Sequence, residues 1–170
     1  MAKYQGDEIL DVVDMQDRVI GQGSRKEIHE KALIHRSVHI LAFNSQGELF
    51  LQKRVWSKDE NPGLWDSSAA GHMNSGEDYL DCARRELKEE LGIAPPLKIF
   101  SRIAACQETQ WEHVSAYTCV ADQTPVVDPE EISEGRFWPV SEIKAALREE
   151  PERFTSTFRM LADKLLNAKE

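Results

Sequence analysis

Apolar residues change their spacing several times along this chain, and each change marks a predicted element. The segment EILDVVD, from Glu8 to Asp14, predicts a short strand, and RVIGQG behind it reads as the return arm of a hairpin. SRKEIHEKAL, from Ser24 to Leu33, opens with a capping serine and continues in good helix formers, which predicts a helix. The β-branched run HRSVHILAF, the turn residues NSQGE and the run LFLQKRV predict a second hairpin. A polar Pro-Gly loop, KDENPGL at Lys58 to Leu64, then leads into WDSSAAGHM, a further short extended piece.

The clearest helical period follows. Leu80, Ala83, Leu87 and Leu91 recur at helix spacing, Ser75 is placed to cap the amide of Asp78, and Gly92 supplies a C-terminal stop. Beyond it, LKIFSRIAACQE and HVSAYTCVAD predict two strands joined through Thr109 to Glu112, and EGRFWPV predicts a last strand. Ser141 begins a short helix, and Thr155 begins a final one lined by Phe158, Leu161, Leu165 and Leu166. Strands and helices are interleaved without repeats, so the expected architecture is a single α/β domain over residues 1–170. Its expected parts are an N-terminal hairpin and helix at 7–33, a central helical segment at 71–93 and C-terminal helices at 141–168.

Composition narrows the function. A formal net charge of -9 argues against nucleic acid as a partner, because phosphate-backbone binding is driven by clustered Lys and Arg. Cys82, Cys106 and Cys119 are widely spaced and form no CxxC pair, which argues against a disulfide framework and a structural zinc site. No apolar run reaches the length of a membrane span, and MAKYQGDEIL lacks the layout of a signal peptide. The expectation is a cytoplasmic protein with no membrane partner.

Glu86, Glu89 and Glu90 are related by steps of three and four, so they share one helix face. Three carboxylates there repel one another and also meet the negative end of the helix dipole. A solvated charged face is the ordinary reading of such a cluster, with Arg84, Arg85 and Lys88 compensating in part. Divalent metal binding would resolve both conflicts, and carboxylate oxygens with room for waters suit Mg²⁺ or Mn²⁺.

Gly71, Glu77 and the run Arg85-Glu86-Leu87-Lys88-Glu89-Glu90-Leu91-Gly92-Ile93 match the Nudix box at each of its fixed positions. By that resemblance the fold is a Nudix α/β/α sandwich with a mixed central sheet. The resemblance also implies Glu86, Glu89, Glu90 and the Gly71 carbonyl as metal ligands, and Arg85 as the residue that orients the glutamates through a salt bridge. Glu77 would support the helix or the outer metal shell. The implied activity is hydrolysis of a diphosphate linkage in a small organic diphosphate, nucleoside- or isoprenoid-type, with Mg²⁺ as cofactor and Mn²⁺ able to replace it. Water attacking phosphorus must give up a proton to a carboxylate. Glu89 or Glu90 is one candidate for that role, and Glu108 or Glu112 from the strand region is another.

A second resemblance spans more of the chain. HRSVHILAFNSQGELFLQKR, the Lys58 to Trp65 loop and WDSSAAGH are similar in order and spacing to type I isopentenyl-diphosphate isomerase, a Nudix-fold enzyme that moves a double bond. That family carries a catalytic Cys two residues before a metal-binding His, and a Glu-x-Glu pair on a later strand. Here the corresponding residues are Ala70 before His72, and Glu112 followed by Val114. Neither Ala nor Val transfers a proton, so isomerase activity is the disfavoured alternative. Arg54 and Lys58 fall where the isomerases place cations against the diphosphate, which implies substrate binding by both. His35 and His72 match two isomerase metal histidines and His29 lies one residue off a third. Isolated histidines beside strands are more often structural, so none is placed among the expected ligands. Trp65 and Trp111 are candidate pocket walls, and the N-terminal hairpin could add the surface of a homodimer.

Overall fold

The computed structural model describes residues 8–168. Strands β1 (Ile9–Val13) and β2 (Val19–Ser24) form a small antiparallel hairpin. Ser24 caps helix α1 (Arg25–Glu30), its side chain accepting from the Glu27 amide at 3.2 Å. Residue 7, at the edge of the expected N-terminal unit, lies outside the described residues. The main sheet contains β3 (His35–Phe43), β4 (Leu49–Arg54), β5 (Trp65–Asp66), β6 (Ala69–His72), β7 (Lys98–Ile103), β8 (Glu112–Val120) and β9 (Ile132–Trp138). Its order is β5-β4-β3-β8-β7, with β6 also paired to β3 and β9 to β4. β3 and β8 run parallel while the other pairs are antiparallel, so the sheet is mixed, as expected.

Helix α2 (Tyr79–Leu91) covers one face of this sheet, and α3 (Val140–Glu149) and α4 (Ser156–Asn167) belong to the other side. Side chains on a strand alternate between faces, and β3 shows what that does here. Val38 and Ile40 join Ala83, Leu87 and Leu91 of α2 in one core cluster. Leu41 joins Trp65, Trp138, Phe154 and Phe158 in a second. Each fully buried leucine of the α2 stripe stabilises the fold by roughly 2 kcal/mol. His35, Ser37 and His39 fall on the Leu41 face of β3, and all three are buried.

Three local expectations are corrected. The α2 cap is Asp78, which accepts from the Asp81 amide at 2.9 Å, whereas Ser75 donates to Asp11 at 2.7 Å. Asp78 sits directly ahead of the first helical turn; Ser75 is three residues further back, within reach of β1. The second predicted hairpin closes only at Phe43–Leu49, after which β3 turns to β6 and β8 while β4 pairs with β9 and β5. Both arms carry apolar side chains for two faces, so each finds partners across the whole sheet. Helix α3 begins at Val140, one residue ahead of the expected start, behind Pro139. Two helix termini match: Gly92 takes the left-handed backbone (φ 67°) that ends α2, and Thr155 caps α4. Among the described residues no helix is long and apolar enough to cross a membrane.

Candidate active site

The box helix, the Lys58 loop, the ends of β3, β6 and β8 and the start of α4 surround one cavity of about 360 Å³. Gly71, Glu86, Glu89, Glu90, Arg54 and Lys58 all line it. Glu86 is pressed against the Gly71 backbone so closely that a Cβ on residue 71 would stand 2.2 Å from the Glu86 carboxyl carbon. Glycine is needed here for the close approach of the Glu86 carboxylate to the β6 backbone.

Arg85 ties the segment together. Its Nε donates to Glu77 at 2.8 Å, its Nη1 to Glu86 at 2.7 Å and Glu89 at 3.3 Å, and its Nη2 to the His72 carbonyl at 3.1 Å. Glu77 in turn accepts from the Asn74 amide at 3.0 Å, fixing the turn before the helix. Glu90 is buried against β4, where Gln52 donates to it at 2.6 Å. Burial and the neighbouring Glu86 push the Glu90 carboxyl well above the usual carboxylate range, and burial also raises Glu86. Buried, mutually repelling carboxylates are the donor set that a divalent ion neutralises, so these residues fit Mg²⁺ or Mn²⁺. Glu89 is the carboxylate nearest water, with its side chain 41% exposed.

Cations line the same cavity. Arg54 donates to the Glu60 carbonyl at 3.0 Å and lies 3.6 Å from Asp66, and Lys58 pairs with Glu131. A third cation was not foreseen: Arg25 of α1 is buried, 3.5 Å from Asp59 and 3.6 Å from Glu60. Arg25 and His29 stand four apart on α1 and so share a helix face, a spacing that could have pointed to both.

The histidines depart furthest from the sequence reading. His29, His35, His72 and Glu112 offer ligand atoms that all lie within 4.8 Å of one another. The His35 Nδ1 lies 2.9 Å from the Leu33 carbonyl, which can only accept, so Nδ1 carries the proton and the Nε2 lone pair is left in the cluster. That nitrogen is 3.4 Å from Glu112 yet makes no hydrogen bond, and the buried His29 Nε2 also has none, while its Nδ1 pairs with Glu60. A ring nitrogen held by a second partner with the other left open is how a metal-binding imidazole is prepared. His72 Nε2 bonds Glu112 at 2.9 Å. Burial raises the Glu112 carboxyl, but the opposing effects, led by the charge of His72, hold Glu112 well below the ordinary range. The histidines expected singly beside strands are instead brought together: three imidazoles and a carboxylate form a group that could hold a metal ion.

Other expectations divide. Glu112 faces the cavity but Glu108 does not line it; its carbonyl accepts from Ser156. Trp65 is core, stacked edge-on to Trp138 at 5.0 Å, and Trp111 borders a separate depression beside His29. Glu112 follows two residues, Gln110 and Trp111, with left-handed backbone at φ 56° and 63°, a strained turn that aims β8 at the histidines. Ala70 stands opposite His39 and Val114 opposite Ser37 in the strand register.

Comparison with known proteins places these features in a family. Residues 33–158 match the model of the NUDIX domain. Over 164 residues the chain is 32% identical to isopentenyl-diphosphate Delta-isomerase 2 of Photorhabdus laumondii, covering 94% of this chain and 93% of that one. It is 42% identical over 131 residues to an uncharacterized Nudix hydrolase of Pseudomonas aeruginosa, covering 76% and 78%. A crystal structure from Deinococcus radiodurans superposes with a TM-score of 0.83 at 28% identity, covering 92% of this chain and 98% of that chain.

Proposed function

The chain belongs to the Nudix family, and on that premise we propose that it is a Mg²⁺-dependent hydrolase of a small organic diphosphate, nucleoside- or isoprenoid-type. The observation that carries this reading is the meeting of Glu86, Glu89 and Glu90 with Arg25, Arg54 and Lys58 around one cavity. Carboxylates that collect divalent ions face cations that hold phosphate oxygens, and a diphosphate needs both.

In this reading Glu86, Glu90 and the Gly71 carbonyl hold Mg²⁺, with Mn²⁺ as a substitute. When bound, the ions neutralise charge on the phosphoryl group and make water more acidic. Arg25, Arg54 and Lys58 orient the diphosphate. Arg85 fixes the rotamers of Glu86 and Glu89 through the bonds described above. Glu89 accepts the proton of the attacking water, because Glu90 is buried against β4 and the Glu86 side chain is only 13% exposed, whereas Glu89 reaches solvent. His29, His35, His72 and Glu112 would hold a second kind of ion, softer than Mg²⁺, where His72 and Glu112 border the cavity.

The likeness to isomerases favours a second reading, double-bond migration in isopentenyl diphosphate. Ala70 and Val114 oppose it, since neither can protonate or deprotonate an alkene. Phosphorus NMR in isotopically labelled water, with Mg²⁺ and a panel of ADP-ribose, nucleoside triphosphates, coenzyme A and isopentenyl diphosphate, separates the two. Labelled monophosphate is the expected product, and Glu89→Gln should lower kcat by roughly 10²- to 10⁴-fold with the fold retained. Dimethylallyl diphosphate as the only product, or full activity in both Glu89→Gln and Glu90→Gln, would refute the hydrolase reading.

A further inference from the structure

We infer that the part of the cavity lined by Ser37 and His39 is a neutral hydrogen-bonding subsite for a hydroxyl-rich organic group such as a sugar, and that it excludes isoprenoid chains. The inference rests on the diphosphate reading above and names which of its substrate classes fits.

The first observation is the lining of the cavity. Among the described residues around it, the one aliphatic side chain is the methyl of Ala70. An apolar tail gains its binding energy from apolar walls, and a tail enclosed here would instead strip water from carboxylates and hydroxyls without replacing their hydrogen bonds. The nearby aromatic that could have supplied a wall, Trp65, is committed to the core with Trp138.

The second observation is independent and points to a ligand. Ser37 is 2% exposed, borders the cavity, and its Oγ has no hydrogen-bond partner. A buried hydroxyl without a partner carries an uncompensated desolvation penalty, which a ligand hydroxyl would remove. Alternation along β3 puts His39 on the same face, two residues further, and its ring also borders the cavity.

His39 is held for the purpose. Its Nδ1 bonds Ser67 Oγ at 2.8 Å, and the Ser67 amide donates to Asp66 at 2.7 Å. Asp66 also accepts from Thr155 at 3.0 Å, which ties the arrangement to the cap of α4. Burial lowers the pKa of His39, which keeps the imidazole neutral. A serine hydroxyl and a neutral imidazole can each act as donor or acceptor, which suits an alcohol, whereas the cations that line the cavity suit phosphate. Ala70, opposite His39, leaves the space that a larger residue would fill.

The test uses the full chain carrying Glu89→Gln, so that turnover is suppressed, with calorimetric titration of ADP-ribose and of isopentenyl diphosphate in Mg²⁺. ADP-ribose is expected to bind at least about tenfold more tightly, and adding Ser37→Ala should weaken ADP-ribose by about tenfold while leaving isopentenyl diphosphate unchanged. Isopentenyl diphosphate binding as tightly, Ser37→Ala weakening both ligands equally or neither, or Ser37→Ala lowering affinity for Mn²⁺ alone would each overturn the inference. Phosphorus NMR on the protein without substitutions reports cleavage separately. A retained preference with no cleavage of any diphosphate would refute the hydrolase reading and leave the subsite standing.

Discussion

Gly71 and Glu86 show how one missing side chain shapes a site. The Glu86 carboxylate occupies the space that a methyl on residue 71 would need. Gly71→Ala should cost little in stability, because a carboxylate at the end of a side chain can swing aside, but swinging aside misplaces a proposed metal ligand. Activity is expected to fall by about 10²-fold while the urea midpoint moves little. His29 makes a second prediction. Burial, then the charges of His72 and His35, lower its pKa to about 4 from 6.5. Between those values the unfolded chain binds a proton that the folded chain refuses, so the metal-free protein is most stable above pH 6.5 and loses stability as pH falls towards 4. The slope in EDTA should be at most about 1 kcal/mol per pH unit, reduced by the ring's partial contact with solvent, and His29→Gln should flatten it. Glu112, held low by the histidines, stays ionised through that window.

At the scale of elements, helix α1 is short for the task of carrying both Arg25 and His29. Its six residues end where Ala32 takes a left-handed backbone at φ 50°, a conformation that a Cβ disfavours. Ala32→Gly should therefore stabilise the protein by about 1 kcal/mol in urea unfolding, without changing the residues that face the cavity. The run SRKEIHEKAL predicts this helix to Leu33, since composition favours helix throughout; the end is set by β3, which must begin at His35. The strands β3 and β4 teach the same lesson. Their apolar runs are legible in sequence, but the near-continuous burial from Ser37 to Ala42 belongs to a strand covered on both faces, and such a strand takes neighbours from distant segments.

At the scale of the molecule, the carboxylate group and the histidine group meet at β6, where Gly71 and His72 are neighbours, and each should act on global stability by binding the folded state alone. A divalent ion at a hundred times its dissociation constant stabilises by about 2.7 kcal/mol per site. Mn²⁺ is expected to raise the melting temperature in two parts, one removed by His72→Ala and the other by Glu86→Gln. Loss of the whole shift in either variant would show the two groups to be one site. The net charge of -9 and the inward-facing Arg25, Arg54 and Lys58 also fit together at this scale: cations kept for the ligand are shielded by Glu60, Asp66 and Glu131.

What the sequence by itself determined is what lies within a few turns of helix or a few residues of strand. The α2 stripe, its stop at Gly92, the cap at Thr155 and the shared face of Glu86, Glu89 and Glu90 follow from a period of 3.6 and from backbone preferences, which act over short separations. The tertiary structure decided what comes from far apart. His29, His35, His72 and Glu112 belong to α1, β3, β6 and β8, and only the parallel register of β3 with β8, which sets His35 opposite Glu112, and the antiparallel register with β6, which sets Ser37 opposite His72, bring them together. Arg25 reaches Arg54 and Lys58 for the same reason, and the orphaned Ser37 hydroxyl exists only once its strand is enclosed. Pairing register is chosen by the burial of whole sheet faces, a property of the assembled core that no single segment carries.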